Sequence, residues 1–259
     1  MRIIGTGEPT LIFVHGYACA GDDWDSQLEA LSKNFRCVAF DLPGHGASPL
    51  PNKASIEALA AAVNDVKKQA GGGKVVLIGH SMGCRVVIEA YCQSPTNVVG
   101  LVFVDGSRIT GELESSLAQM ANWIDRGGID AMLMQSFDDM FLDNSDPEIR
   151  QHIVRRARSL DPAFCKELLL QLVRWDIGKG NAALKQIAVP VLALQSTYIG
   201  PDLKRATLQP GMLSPWLDLI TGFVPNAETD IIPGVGHFSM IEAAPAVNAG
   251  IAKFAANLA

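Results

Sequence analysis

The stretch Gly79-His80-Ser81-Met82-Gly83 constrains this chain more than any other. It sits directly behind the apolar run 74–78 and directly ahead of 85–91, so it joins a strand-like segment to a helix-like one. A Gly-x-Ser-x-Gly turn that swings sharply from strand to helix leaves no room for a Cβ at either flanking position, and glycine meets that demand. Such a turn lifts the serine hydroxyl above the carboxyl edge of a sheet. The helix that follows points its positive N-terminal end at the same spot. Ser81 is therefore read as an exposed nucleophile and the turn as a nucleophile elbow. The context agrees: Val75, Val76, Leu77 and Ile78 form the continuous aliphatic run of a strand buried on both faces. Val86, Val87, Ala90 and Tyr91 then recur at helical spacing up to Ser94-Pro95, where a helix stops.

Further strand-like runs lie at 11–14, 37–40, 99–104, 189–194 and 229–232, with helical patterns at 24–31, 56–68 and 85–93 between neighbouring strands. That alternation predicts an α/β fold, a mostly parallel sheet of about six strands with helices on both faces. The interval 111–185 holds no convincing strand. Its apolar positions predict several short helices, an all-helical cap inserted between two strands and lying over the carboxyl edge of the sheet. The expected organisation is a first part of the core at 1–108, the cap at 109–185 and a second part of the core at 186–259. With 259 residues, 48% of them hydrophobic, the chain can bury one substantial core.

Acidic residues outnumber basic ones by 27 to 21 for a net charge of −6, which disfavours nucleic acid and anionic membrane as partners. The five cysteines show no Cys-x-x-Cys spacing, so neither a disulfide framework nor a metal site is suggested. A strand within about ten residues of the start leaves no room for a signal peptide, and nothing approaches a spanning helix. The expectation is a cytoplasmic protein without metal or cofactor.

A serine hydroxyl needs a base, and histidine is the usual one. Five histidines are available. His15 and His45 sit in glycine-flanked turns, His80 adjoins the nucleophile and is expected to point away from it, and His152 lies among charged residues of a solvated helix face. His237, in the loop Pro233-Gly234-Val235-Gly236-His237-Phe238, follows the last strand and is the candidate base. That placement expects the last strand to lie next to the middle of the sheet. The oxyanion formed on attack requires two N–H donors, assigned to the backbone of Met82 and of Tyr17, the latter after the close turn at Gly16.

Taken together, His15-Gly16-Tyr17, the run 41–48 (Asp41-Leu42-Pro43-Gly44-His45-Gly46-Ala47-Ser48), the elbow, Val104-Asp105-Gly106-Ser107 and the loop 234–238 resemble the α/β-hydrolases, specifically the small, capped, haloperoxidase-like esterases. The resemblance spans nearly the whole chain. It implies a Ser-His-Asp triad acting on a small-molecule carboxylic ester, and structural roles for Asp41 and His45. It also implies that the family's first two strands are reduced or absent. In most relatives the acid follows the penultimate strand, but 190–199 holds no carboxylate. Asp105, at the end of the strand after the elbow's helix, is favoured over Asp202 because the acid must sit on a rigid strand end. A substrate pocket is expected among Met120, Trp123, Met132, Met134, Phe137, Met140 and Phe141, which suit an apolar acyl or alcohol group. Serine at the elbow argues against dehalogenase or epoxide hydrolase chemistry. Carbon-carbon bond hydrolase, thioesterase, lactonase and cofactor-free haloperoxidase chemistry stay open, as does a hydrolase-like small-molecule receptor.

Overall fold

The computed structural model describes residues 1–200, 204–212 and 214–259. Among these residues nine strands form in chain order: β1 (Arg2–Ile4), β2 (Thr10–Val14), β3 (Cys37–Ala39), β4 (Val75–His80), β5 (Val98–Val104), β6 (Val191–Gln195), β7 (Thr197–Ile199), β8 (Arg205–Thr207) and β9 (Glu228–Ile231). Seven of them make one sheet in the order β1-β3-β2-β4-β5-β6-β9, and only β1 runs antiparallel to its neighbour. The sheet thus has one strand more than expected. The extra one, β1, is three exposed residues at the edge, too short and too little buried to leave an apolar signature.

β2, β4 and β5 lie in the middle and are buried almost throughout, as their unbroken aliphatic runs require. Each such side chain contributes on the order of 1.5–3 kcal/mol on leaving water. The chain runs from β2 to β3 on one side, then crosses back to β4 on the other side of β2. That reversal opens a crevice at the carboxyl ends of β2 and β4, the place where open α/β sheets bind ligands.

Ten α-helices accompany the strands among the described residues. Around the sheet, α1 (Asp25–Leu31) packs against the C-terminal helix, while α2 (Ile56–Gln69) packs against α3 (Met82–Gln93). Between β5 and β6 lie four helices and no strand: α4 (Leu113–Asp138), α5 (Pro147–Ala157), α6 (Pro162–Gly178) and α7 (Gly180–Leu184). Asp146 and Asp161 cap α5 and α6, each followed by a proline whose missing N–H costs nothing in the first turn. Gly128, at φ 76°, breaks α4 into two segments. The chain closes with α8 (Pro215–Phe223), α9 (Ser239–Glu242) and α10 (Ala244–Ala256), the last packed on α1. Among the described residues no helix is long and apolar enough to cross a membrane.

The helical insertion is tied to the sheet region by polar contacts, one of them a buried ion pair. Arg85 of α3 donates from Nε and Nη2 to the two oxygens of Asp176 in α6, at 2.8 and 2.7 Å. Asp176 also accepts from the Ile109 N–H, where the insertion leaves β5. Arg156 of α5 reaches Asp22 and Asp23, and Trp175 Nε1 donates to Glu89.

Candidate active site

Ser81 ends β4 with φ 54° and ψ −116°, a left-handed conformation that a non-glycine residue adopts only under constraint. The constraint is close packing. A Cβ on Gly79 would strike the carbonyl of Gly83, and one on Gly83 would strike the carbonyls of Val14 and His15 at the end of β2. The elbow is therefore wedged against the neighbouring strand, and Ser81 N–H is held by the Val104 carbonyl at 3.0 Å. Met82 opens α3, where no preceding turn supplies a carbonyl for its N–H.

The loop after β2 comes just as near. A Cβ on Gly16 would lie 3.2 Å from Ser81 Cβ and 3.0 Å from His80 Nδ1, so this backbone passes the nucleophile within contact distance. Among the described residues the Tyr17 N–H donates to no backbone carbonyl. Its phenol donates to the Cys165 carbonyl of α6 at 3.1 Å, which fastens this loop to the insertion. His15 fixes the same turn: Nδ1–H donates to the Gly16 carbonyl and bare Nε2 accepts from the Leu42 N–H. Burial, first, and the neighbouring His45 hold its pKa well below the ordinary value.

His237 does not hang from a strand near the middle of the sheet. β9 is the edge strand, separated from β5 by β6. The six residues after Ile231 cover the return, since extended chain gains about 3.3 Å per residue and strands are about 4.8 Å apart. Four hydrogen bonds seat the returning loop. Ser196 Oγ donates to the Gly236 carbonyl (2.9 Å) and Thr207 Oγ1 to the Val235 carbonyl (3.2 Å). Glu242 accepts from the Gly236 N–H (2.6 Å), and His237 N–H donates to the Met140 carbonyl (2.7 Å).

Asp105 follows β5 directly, with φ 44° and no exposed surface, and its Oδ2 meets His237 Nδ1. Its Oδ1 accepts from the N–H groups of Ser196 (2.8 Å) and Thr197 (2.7 Å), and Oδ2 accepts from Thr197 Oγ1 (2.5 Å) and from Arg205 (3.3 Å). Burial alone would raise this carboxyl; the His237 hydrogen bond, the charges beside it and the Thr197 hydroxyl reverse that and bring it to about 2. Burial, chiefly, and then Arg205 push His237 down to about 4. The rival acid, Asp202, lies outside the described residues.

No hydrogen bond links Ser81 Oγ to His237 among the described residues. Their chain segments meet through His80, whose Nε2–H donates to the His237 carbonyl at 3.0 Å, with ring centroids 4.6 Å apart. Since a carbonyl can only accept, the proton is on Nε2 and Nδ1 is bare; it has no partner. Burial, first, and the nearby His237 lower His80 to about 3. His80 thus holds the base's backbone, a role that its place beside Ser81 in sequence concealed. His152 is exposed, as a solvated helix face requires.

The expected pocket residues divide. Phe137 and Phe141 are buried and stack on Phe238, next to His237, with centroids 6.2 and 5.0 Å apart, and Met140 supplies the carbonyl that seats His237. Met132 is buried and Met120 half-buried, whereas Trp123 and Met134 are exposed at 39% and 38%. A cleft of about 330 Å³ is lined in part by Asp138, Asp139, Arg150, Thr197, Arg205 and Gly236, and Ser81 does not line it. Among the described residues no cluster of side chains suits a metal ion.

An elbow serine at the switch point of a mostly parallel sheet defines a class, and comparison with known proteins agrees. Residues 11–249 match the model of the alpha/beta hydrolase family, and the chain belongs to that family. Over 105 residues, 37% of the chain, it is 31% identical to the protein PHYLLO, chloroplastic, of Arabidopsis thaliana, covering 6% of that protein. It is 28% identical over 150 residues to the pimeloyl-[acyl-carrier protein] methyl ester esterase of Methylococcus capsulatus, 58% of this chain and 53% of that one. The matches thus span about half or less of these two relatives. A thermophilic esterase from Thermogutta terrifontis superposes with a TM-score of 0.81 over 99% of this chain and 92% of its own at 22% identity, a likeness of fold.

Proposed function

We propose that the protein is a serine hydrolase that cleaves a small to medium, largely apolar carboxylic ester through an acyl-enzyme. Ser81 attacks the carbonyl, His237 takes the hydroxyl proton on Nε2 and returns it to the leaving alcohol, and Asp105 holds the Nδ1–H tautomer and offsets the imidazolium charge. The N–H groups of Tyr17 and Met82 receive the oxyanion. Water then repeats the sequence on the acyl-enzyme. The observation that carries the reading is the contact of His237 Nδ1 with a fully buried, ionised Asp105, together with a serine held at φ 54° on the elbow. Unliganded sites commonly leave the serine-histidine bond unmade, and substrate closes it.

In this reading 1–108 and 186–259 form the catalytic core and 109–185 its cap. Of the seven apolar residues named above, Met120, Trp123, Met132 and Met134 tune substrate choice, while Phe137, Met140 and Phe141 brace the histidine loop. The protein acts on a small molecule in the cytoplasm. Intact-mass analysis after a serine-reactive fluorophosphonate, beside Ser81→Ala and His237→Ala, followed by a p-nitrophenyl ester chain-length series, tests it. One adduct on Ser81, absent from Ser81→Ala, and turnover that falls for long or charged acyl groups are expected. No adduct and no ester turnover would sink the proposal. Lactone and thioester substrates in the same panel separate the sister chemistries.

A further inference from the structure

Oδ2 of Asp105, the oxygen on which His237 rests, is shared with a buried cation. Arg205, on β8, has a side chain only 9% exposed. Its Nη1 lies 3.3 Å from Asp105 Oδ2 and 2.6 Å from Thr197 Oγ1, and that hydroxyl is 2.5 Å from the same Oδ2. Guanidinium only donates, so Thr197 accepts from Arg205 and must pass its own hydrogen to Asp105. The result is a directed chain from guanidinium to hydroxyl to carboxylate, ending beside the imidazole.

We infer that Arg205 is a positioning residue that lowers the acid limit of the reaction beyond what burial alone does, by competing with the imidazolium of His237 for the Asp105 carboxylate. This rests on the proposed triad. A histidine that takes a proton from Ser81 becomes a cation, and a carboxylate already facing a guanidinium stabilises that cation less. His237 therefore stays neutral, and able to act as base, at pH values where an ordinary histidine is protonated. The other charged or titratable groups around the pair do not substitute for Arg205. His80, from β4, is neutral and lowered to about 3. Arg85 of α3 also lowers His237, by less than Arg205 does, and is itself paired with Asp176. Asp139, after α4, acts on Arg205 rather than on the imidazole, and Glu242 of α9 is engaged by the Gly236 N–H.

The test is the pH profile of kcat/KM for a p-nitrophenyl ester and of fluorophosphonate labelling, in wild type, Arg205→Gln and Arg205→Lys, with ¹⁵N NMR of the histidines in the wild-type protein. The acid limb of Arg205→Gln should move up by about one pH unit or more, so that well inside the limb it falls at least tenfold below wild type when each is scaled to its own plateau, and Arg205→Lys should restore the low limb. A purely structural arginine would lower activity equally at every pH. Coincident limbs in all three proteins would overturn the inference. Should Arg205→Gln fail to fold, the NMR titration of Arg205→Met, which fills the site with an unbranched apolar side chain, decides: a His237 pKa raised above that of wild type supports the inference, and one unchanged from wild type refutes it. If wild type neither labels nor turns over, it is the triad reading that fails.

Discussion

Replacing Asp176 by asparagine should destabilise the protein far more than any surface charge would. The Arg85 and Asp176 side chains are 5% and 2% exposed, and their paired hydrogen bonds of 2.8 and 2.7 Å leave water no access to either charge. The amide would keep the shape of the carboxylate but remove its negative charge, leaving Arg85 charged in the interior. Breaking a buried pair from one side costs about 3–5 kcal/mol. For a chain of this size that is a fall in Tm on the order of 10 °C. Arg85→Met with Asp176→Leu should recover much of the loss, because two apolar side chains pack where two charges were desolvated. It should not recover all, since Asp176 also accepts from the Ile109 N–H and an orphaned buried donor costs about 1–3 kcal/mol. Equilibrium urea unfolding of wild type, single and double variants measures both steps. A single variant within about 1 kcal/mol of wild type, or a double variant less stable than the single, would refute the assignment of this pair as the buried tie between elbow helix and insertion.

Three other perturbations follow from the same geometry. Asp105→Asn should lower kcat by about three to four orders of magnitude while retaining the fold, because the amide imposes the wrong imidazole tautomer; near wild-type turnover would remove Asp105 from the triad. Gly16→Ala brings a methyl group to 3.2 Å from Ser81 Cβ and 3.0 Å from His80 Nδ1, so ester turnover should fall by about tenfold or more from misplaced donors, read by steady-state kinetics; unchanged kcat/KM would show that the loop yields. Below pH 6.5 the unfolded chain binds protons at its histidines, while folded His45 and His237, lowered to about 4, and His80, lowered to about 3, do not. Stability is therefore complete above pH 6.5 and lost progressively as pH falls through about 4, at up to about 1.4 kcal/mol per pH unit for each histidine. A urea midpoint that is flat from pH 7 to 4 would contradict it.

The elbow, the central strands and the helical interval were legible because each rests on local rules: glycines where a Cβ cannot fit, aliphatic runs in strands covered on both faces, and a long stretch of apolar positions with no strand-like run. The pairing of Asp105 with His237 was legible only as a preference over Asp202, since it depends on where two distant loops meet. β1 and the β7–β8 hairpin escaped notice, being three-residue strands with too few buried side chains for a period to emerge. The edge position of β9 was hidden for a different reason. Strand order follows from which crossovers pack, and no residue in Glu228–Ile231 encodes it. His80 and Arg205 went unassigned because their roles run through backbone and carboxylate partners 157 and 100 residues away. One signal was available: a carboxylate missing from the turn after β6 implies that Ser196 and Thr197 there serve a carboxylate arriving from elsewhere.

Placing the acid on β5 instead of after β6 changes what the neighbouring elements must do. A carboxylate with no exposed surface is stable as an anion only if donors replace its water, and here they come from the segment after β6, from β8 and from the loop after β9. The turn that would otherwise carry the acid has become its cradle, with two backbone N–H groups on one oxygen. The loop bearing His237 is fixed to that same cradle through the Ser196 hydroxyl. Acid, base and cradle are thus one hydrogen-bonded unit across three adjacent strands of the main sheet. Such a unit preorganises the imidazole and ties it to the carboxyl ends of the sheet strands. Loss of ester turnover in urea should accordingly coincide with loss of far-UV circular dichroism, whereas turnover vanishing at clearly lower urea would mean that the histidine loop releases on its own.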